Sequence, residues 1–170
     1  MIIDLANVGT TAKKIDLALG RLAIDLEGER VTLTGTVAFN GETQRLDERA
    51  HIRGVINTDA LLDCTRCLEP IAKHLEIPFD AVFVDASEEA TDAEAEVADD
   101  ELDESLVERG EIDMVEVIRE QILLALPEQI FCQEDCKGLC PQCGANRNLI
   151  DCKCADDDVD PRWAALKSLK

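Results

Sequence analysis

Leu75-Glu-Ile-Pro-Phe-Asp-Ala-Val-Phe83 sets Leu75, Ile77, Phe79, Ala81 and Phe83 at every second position. This is the period of a strand with one buried face. Working upstream, Ile52, Gly54, Ile56 and Thr58 repeat the alternation with Val55 out of phase, and Leu61 to Cys64 end that strand or begin another. Val31, Leu33, Gly35, Val37 and Phe39 alternate as well and run into Asn40-Gly41, a strong hairpin-turn dipeptide. Leu22, Ile24 and Leu26 read as a short strand before the turn signal Glu27-Gly28-Glu29. Several strands in a row with short connections predict an antiparallel sheet or small open barrel over residues 1–84.

Downstream the character changes. Residues 85–104 hold eleven acidic side chains and no basic one. Such a segment buries too little apolar surface to offset its ordering entropy, and it reads as a flexible acidic linker. A helix follows. Asp113 is its N-cap, with Glu116 three residues on as in a capping box. Met114, Val117, Ile118, Ile122, Ala125 and Leu126 form an apolar stripe expected to dock on the sheet, and Pro127 stops the helix. Near the C-terminus, Asp160-Pro161 repeats the helix-start signal, and Trp163, Leu166 and Leu169 share one side of a short terminal helix.

Between the two helices lies CQEDCKGLCPQCGANRNLIDCKC, Cys132 to Cys154, which contains six of the eight cysteines. Cys140-Pro-Gln-Cys143-Gly144 has the order of a metal knuckle: a proline-stiffened turn between two thiols, then a glycine free to take positive φ. Zinc takes four ligands, so one structural tetrahedral zinc is expected on Cys140 and Cys143 plus two of Cys132, Cys136, Cys152 and Cys154. Cys64-Thr-Arg-Cys67 is a further thiol pair. It could complete a metal site, act as a redox dithiol, or form a buried hairpin corner. The redox reading is the weakest of the three, because Pro70 and a strand follow where a thiol-activating helix is needed.

The chain of 170 residues is 46% hydrophobic and 3% aromatic, without tyrosine, so its core is built mainly from aliphatic side chains. Its formal charge of -20 opposes broad binding to polyphosphate. Acidic residues arrive too early for a secretory leader, and no apolar run reaches a membrane-spanning length, so a cytoplasmic location with reduced thiols is expected. Phosphate-loop, nucleophile-elbow and His-Glu-x-x-His motifs are missing. His74-Leu-Glu76 does not make a deaminase site, since it lies on an alternating strand and Pro141 falls inside the cysteine pair. An enzyme is therefore not expected. Arg49, His51 and Arg53 share the strand face opposite the apolar one, and Arg66 could join them as an RNA-binding stripe. A plain solvated face is the competing reading.

Four segments in order resemble the YceD family, the bacterial and plastid proteins named for large-subunit ribosomal RNA accumulation. They are Leu62-Asp-Cys64-Thr-Arg-Cys67-Leu-Glu-Pro70; Gly110-Glu-Ile-Asp113 running into Ile122-Leu-Leu-Ala-Leu-Pro127; Cys136-Lys-Gly-Leu-Cys140-Pro-Gln-Cys143-Gly144; and Asp160-Pro-Arg-Trp163-Ala-Ala-Leu166. The resemblance implies non-catalytic work in making or stabilising large-subunit ribosomal RNA at the precursor stage. It also implies that some relatives lack the C-terminal cysteines while keeping Cys-x-Arg-Cys, so the ligand set is not inherited from it. The expected partners are precursor ribosomal RNA, or a basic ribosomal protein or assembly factor held by an acidic adaptor. Neither a membrane nor a small-molecule substrate is expected. The expected fold is α+β: an antiparallel sheet or small open barrel over 1–84, the linker 85–104, and a long helix, zinc knuckle and terminal helix over 105–170, packed with the β region as one domain.

Overall fold

The computed structural model describes residues 1–26, 30–46, 49–86, 104–154 and Arg162. The chain divides into two compact units: Met1–Leu62 with Pro70–Glu128, and Asp63–Glu69 with Gln129–Lys170. Most of the expected linker 85–104, and the expected terminal helix with Trp163, lie outside the described residues.

The first unit is dominated by strands: β1 (Ile2–Asp4), β2 (Lys13–Leu19), β3 (Val31–Leu33), β4 (Val37–Leu46), β5 (Arg49–Asp63), β6 (Pro70–Asp85), β7 (Glu104–Val107) and β8 (Glu111–Asp113), followed by helix α1 (Met114–Leu124). Six strands form one sheet in the order β2-β4-β5-β6-β7, with β3 also on β5. No pairing among the described residues closes that path into a barrel. The small open barrel is therefore not confirmed among the described residues. β3 and β4 are two halves of an interrupted strand along β5: Leu33 faces Ala60 and Ala38 faces Asn57. Thr34 N bridges the break to Asp59 O at 2.8 Å. One pairing departs from the antiparallel expectation, since β7 runs parallel to β6, with Val82 opposite Glu104.

The buried face follows the alternation. Phe39, Ile52 and Ile56 are fully buried, and Thr58, Ile77, Phe79 and Phe83 nearly so. Asn40-Gly41 is not a turn but the middle of β4, with Gly41 opposite Gly54 on β5. A Cβ on Gly41 would lie 2.7 Å from the Phe39 ring, which covers the glycine pair, and would also collide with Arg53 O. The glycines are therefore there for close backbone approach. Phe39 in turn meets Phe79 edge-on at 5.6 Å. The expected strand around Leu22 is a 3₁₀ turn, Arg21–Ala23, with Leu22 exposed and Ile24 and Leu26 buried.

Helix α1 starts where its cap signal puts it: Asp113 accepts a hydrogen bond from Val115 N at 3.0 Å. It buries Met114, Ile118 and Ile122 and packs against β6 and β8. At eleven residues it is shorter than the long helix expected, and Ala125 is already its C-cap, two residues ahead of Pro127. A two-stranded ribbon of β1 and β8 leads into it, with Ile3 opposite Ile112. No helix among the described residues is long and apolar enough to cross a membrane.

Two four-thiol clusters as candidate metal centres

The second unit is built around two turns of the same construction. In the first, between β5 and β6, Leu68 N donates to Cys64 O and Cys64 N donates to Glu69 O, both at 2.9 Å. In the second, Gly144 N donates to Cys140 O and Cys140 N donates to Ala145 O, both at 2.8 Å. The residue after each cysteine pair is left-handed, with φ of 62° at Leu68 and 71° at Gly144. Glycine takes that conformation freely, whereas a leucine there costs about 1–2 kcal/mol. Cys64-Thr-Arg-Cys67 and Cys140-Pro-Gln-Cys143 are thus equivalent knuckles, although only the second has the glycine that marks one.

Each knuckle supplies half of a four-sulfur set. Cys64, Cys67, Cys132 and Cys136 bring their Sγ atoms within 4.8 Å of one another, and so do Cys140, Cys143, Cys152 and Cys154. Either set could hold a metal ion. In the first, Cys64 Sγ lies 3.8 Å from Cys136 Sγ and Cys67 Sγ lies 3.6 Å from Cys132 Sγ. Four sulfurs at about 2.3 Å around one tetrahedral ion have edges of about 3.8 Å, so the spacing fits a thiophilic cation. The six C-terminal thiols, expected to over-supply one site, are divided instead: Cys132 and Cys136 turn to the upstream pair, and Cys152 and Cys154 complete the other set. A set of four thiolates leaves no open coordination position, which suits a structural ion.

Side chains around the first set hold it in shape. Asn148 Nδ2 donates to Cys136 Sγ at 3.3 Å while its Oδ1 accepts from Lys137 N at 2.8 Å. Cys132 N donates to Cys64 Sγ at 3.4 Å. Thr65 bonds Ile130 O twice, from its amide at 2.9 Å and its hydroxyl at 3.1 Å. Between the knuckles, Leu139 N donates to Arg66 O at 3.0 Å, and Gly138, at φ 71°, passes so near that carbonyl that a Cβ would sit 3.0 Å from it. Asn148 and Thr65 were not legible as site residues in the sequence.

The thiols divide by ionisation as well. Burial raises Cys64, but amide donors from Arg66, Cys67 and Cys132 outweigh it and bring the thiol down to about 6. The Asn148 amide lowers Cys136. Burial raises Cys67, and burial with the neighbouring sulfurs pushes Cys132 up to about 12. In the second set, the amides of Cys143 and Gln142 bring Cys140 down to about 6. The sulfurs of Cys140 and Cys143 raise Cys152 and push Cys154 up to about 12. Bringing all four thiols of a set to the thiolate form would need a counter-charge, which a divalent cation could supply.

Arg49, His51 and Arg53, expected from the sequence as one stripe, alternate with buried Ala50 and Ile52 along β5. Arg49 pairs with Glu104 at 2.8 Å, and Arg53 pairs with Asp80 at 3.1 Å. His51 is half-buried, and its Nδ1 has no hydrogen-bond partner among the described residues. Arg66 belongs to the second unit. There its Nη1 donates to Cys136 O at 3.1 Å and reaches Glu134 O at 3.4 Å, and its guanidinium lies 4.0 Å over the Phe131 ring. His74 is exposed and bonded to Asp59 at 2.8 Å, so neither histidine is part of a thiol set.

Residues 52–170 match the family described as "Large ribosomal RNA subunit accumulation protein YceD". The Bacillus subtilis protein YlbN is 32% identical over 154 residues, covering 83% of this chain and 85% of its own. A Mycobacterium tuberculosis protein is 26% identical over 170 residues, covering 98% of this chain and 79% of its own. An Arabidopsis thaliana protein named "Large ribosomal RNA subunit accumulation protein YCED homolog 1, chloroplastic" is 25% identical over 189 residues, covering 91% of this chain and 59% of its own. No solved structure matches.

Proposed function

Because the chain belongs to the YceD family, we propose that it is a non-catalytic ribosome-biogenesis factor of the cytoplasm, needed for large-subunit ribosomal RNA to accumulate. The single observation behind the non-catalytic reading is the donor chemistry of the second unit. Its cysteines gather into all-thiol sets with no histidine and no open position, which suits a structural zinc. Zinc is the ion we assign to Cys140, Cys143, Cys152 and Cys154, since tetrahedral thiolate cages favour it and it brings no redox chemistry.

The action we favour is direct binding of precursor ribosomal RNA, with Arg49, His51 and Arg53 as the candidate contacts. Arg66, bonded to Cys136 O, then acts as a strut of the thiol scaffold. A second reading has its own support: with Arg49 and Arg53 already matched by carboxylates and a formal charge of -20, the chain suits a basic ribosomal protein held by an acidic adaptor. In-cell crosslinking of the full chain, followed by sequencing of bound RNA and mass spectrometry of bound protein, separates the two. Salt-sensitive precursor RNA crosslinks weakened by Arg53→Ala support the first. A basic ribosomal protein lost on deleting residues 87–103 supports the second. Recovery of neither sinks both.

A further inference from the structure

We propose that Cys64, Cys67, Cys132 and Cys136 also hold a zinc ion, bound together with the one assigned to Cys140, Cys143, Cys152 and Cys154, and that this inner cage retains its ion while the outer cage of Cys140, Cys143, Cys152 and Cys154 exchanges. The proposal rests on the zinc reading above and extends it to a set of residues that joins the β5–β6 turn to the C-terminal segment.

Three observations support it. The first is geometry: the inner sulfurs have the edge lengths of a tetrahedral thiolate cage, and the inner knuckle repeats the hydrogen bonds of the outer one. Leu68 is held in a left-handed conformation on the way. The second is access. Cys64, Cys67 and Cys136 are buried and only Cys132 is exposed, whereas in the outer cage Cys140 alone is buried and Cys143 and Cys154 are exposed. Zinc leaves a thiolate site by attack of an incoming ligand, so the side open to solvent is the side that exchanges. The third is chain topology. The inner cage ties Cys64 and Cys67 to residues more than sixty positions away, while the outer cage closes within Cys140 to Cys154. Opening the inner cage releases a long loop, and neighbouring donors, Asn148 among them, must leave its sulfurs as well.

Native mass spectrometry of the full chain, purified without chelator, tests the count. Two zinc ions per chain are expected. One ion overturns the proposal but leaves the zinc reading, and none overturns both. Transfer to a chromophoric chelator tests the inequality: two phases of equal amplitude are expected, with the outer ion released on the order of tenfold faster or more. Cys154→Ser should remove the fast phase and keep one retained ion. A single phase in the native chain, or a Cys154→Ser chain that loses the slow phase, overturns the proposal. Cobalt(II) substitution guards against a variant that fails to fold. Two equivalents with tetrahedral thiolate absorption are expected from the native sequence, and saturation at one equivalent counts against it.

Discussion

Replacing Arg66 by alanine separates a scaffold residue from an RNA contact. Two groups lose their partner: Cys136 O, at 3.1 Å from Nη1, and the more distant Glu134 O, at 3.4 Å. The guanidinium also leaves the Phe131 ring, 4.0 Å below it. A hydrogen bond from a charged donor contributes about 1.5–3 kcal/mol, and a cation over an aromatic ring at an exposed site about 0.5–1 kcal/mol. Arg66 is exposed, so the low end applies to both, and the sum is about 2 kcal/mol. The Arg66 carbonyl, which holds Leu139 N, survives the change. Because Cys136 is an inner-cage sulfur, the loss should appear as weaker metal retention there, by roughly 30-fold at about 1.4 kcal/mol per decade. Chelator competition on the full chain, read beside thermal unfolding, gives the number. Arg66→Lys should recover only part of it, since an ammonium cannot bridge the carbonyl and stack on the ring together. Unchanged metal retention and unfolding, with a loss of RNA crosslinks alone, would refute the scaffold role.

The two ion-paired arginines of β5 should behave differently. Arg49→Ala leaves Glu104, whose side chain is 6% exposed, without its partner, and should cost about 2 kcal/mol in urea unfolding, less than a fully buried pair. Arg53→Ala breaks a pair exposed on both sides at 60% and 63%, and should stay within about 0.5 kcal/mol, which makes it the cleaner probe of RNA contact. Gly41→Ala drives a Cβ into the Phe39 ring and the β5 backbone and should cost about 2–4 kcal/mol, seen as a lower urea midpoint with the slope unchanged. Metal retention should fall as pH drops from 7 to 5. The lowered thiols of Cys64 and Cys140, each at about 6, are ionised above that value and protonated below it, so protons compete with the ion on the acid side. Chelator transfer measured across that range checks the direction.

What the sequence made legible follows from how local each signal is. The alternation through Ile52, Ile56 and Thr58, and through Ile77, Phe79 and Phe83, is local, and the buried face of β5 and β6 follows it. The Asp113 cap is local as well. Asn40-Gly41 misleads because the same dipeptide that suits a tight turn also suits a cross-strand glycine contact. Only the partner Gly54 and the covering Phe39 ring decide between them. Leu22, Ile24 and Leu26 alternate without pairing, since two buried side chains in an irregular segment give the same pattern as a strand. The short strand β7 pairs in parallel with β6 across a sequence gap that no local pattern spans. The inner thiol set was legible only in part: Cys64 and Cys67 could be expected to complete a metal site, but not which cysteines they would join. Its halves are far apart in the chain, and Leu68 occupies the left-handed position that glycine would have flagged.

Zinc K-edge X-ray absorption on the full chain, isolated without added metal or chelator, tests the central claim most directly, because it reports the atoms around the ion rather than the stability of the fold. Four sulfur scatterers per zinc at about 2.3 Å are expected, with no lighter neighbour in the first shell. Nitrogen or oxygen ligands at about 2.0–2.1 Å, or no zinc edge at all, would contradict it.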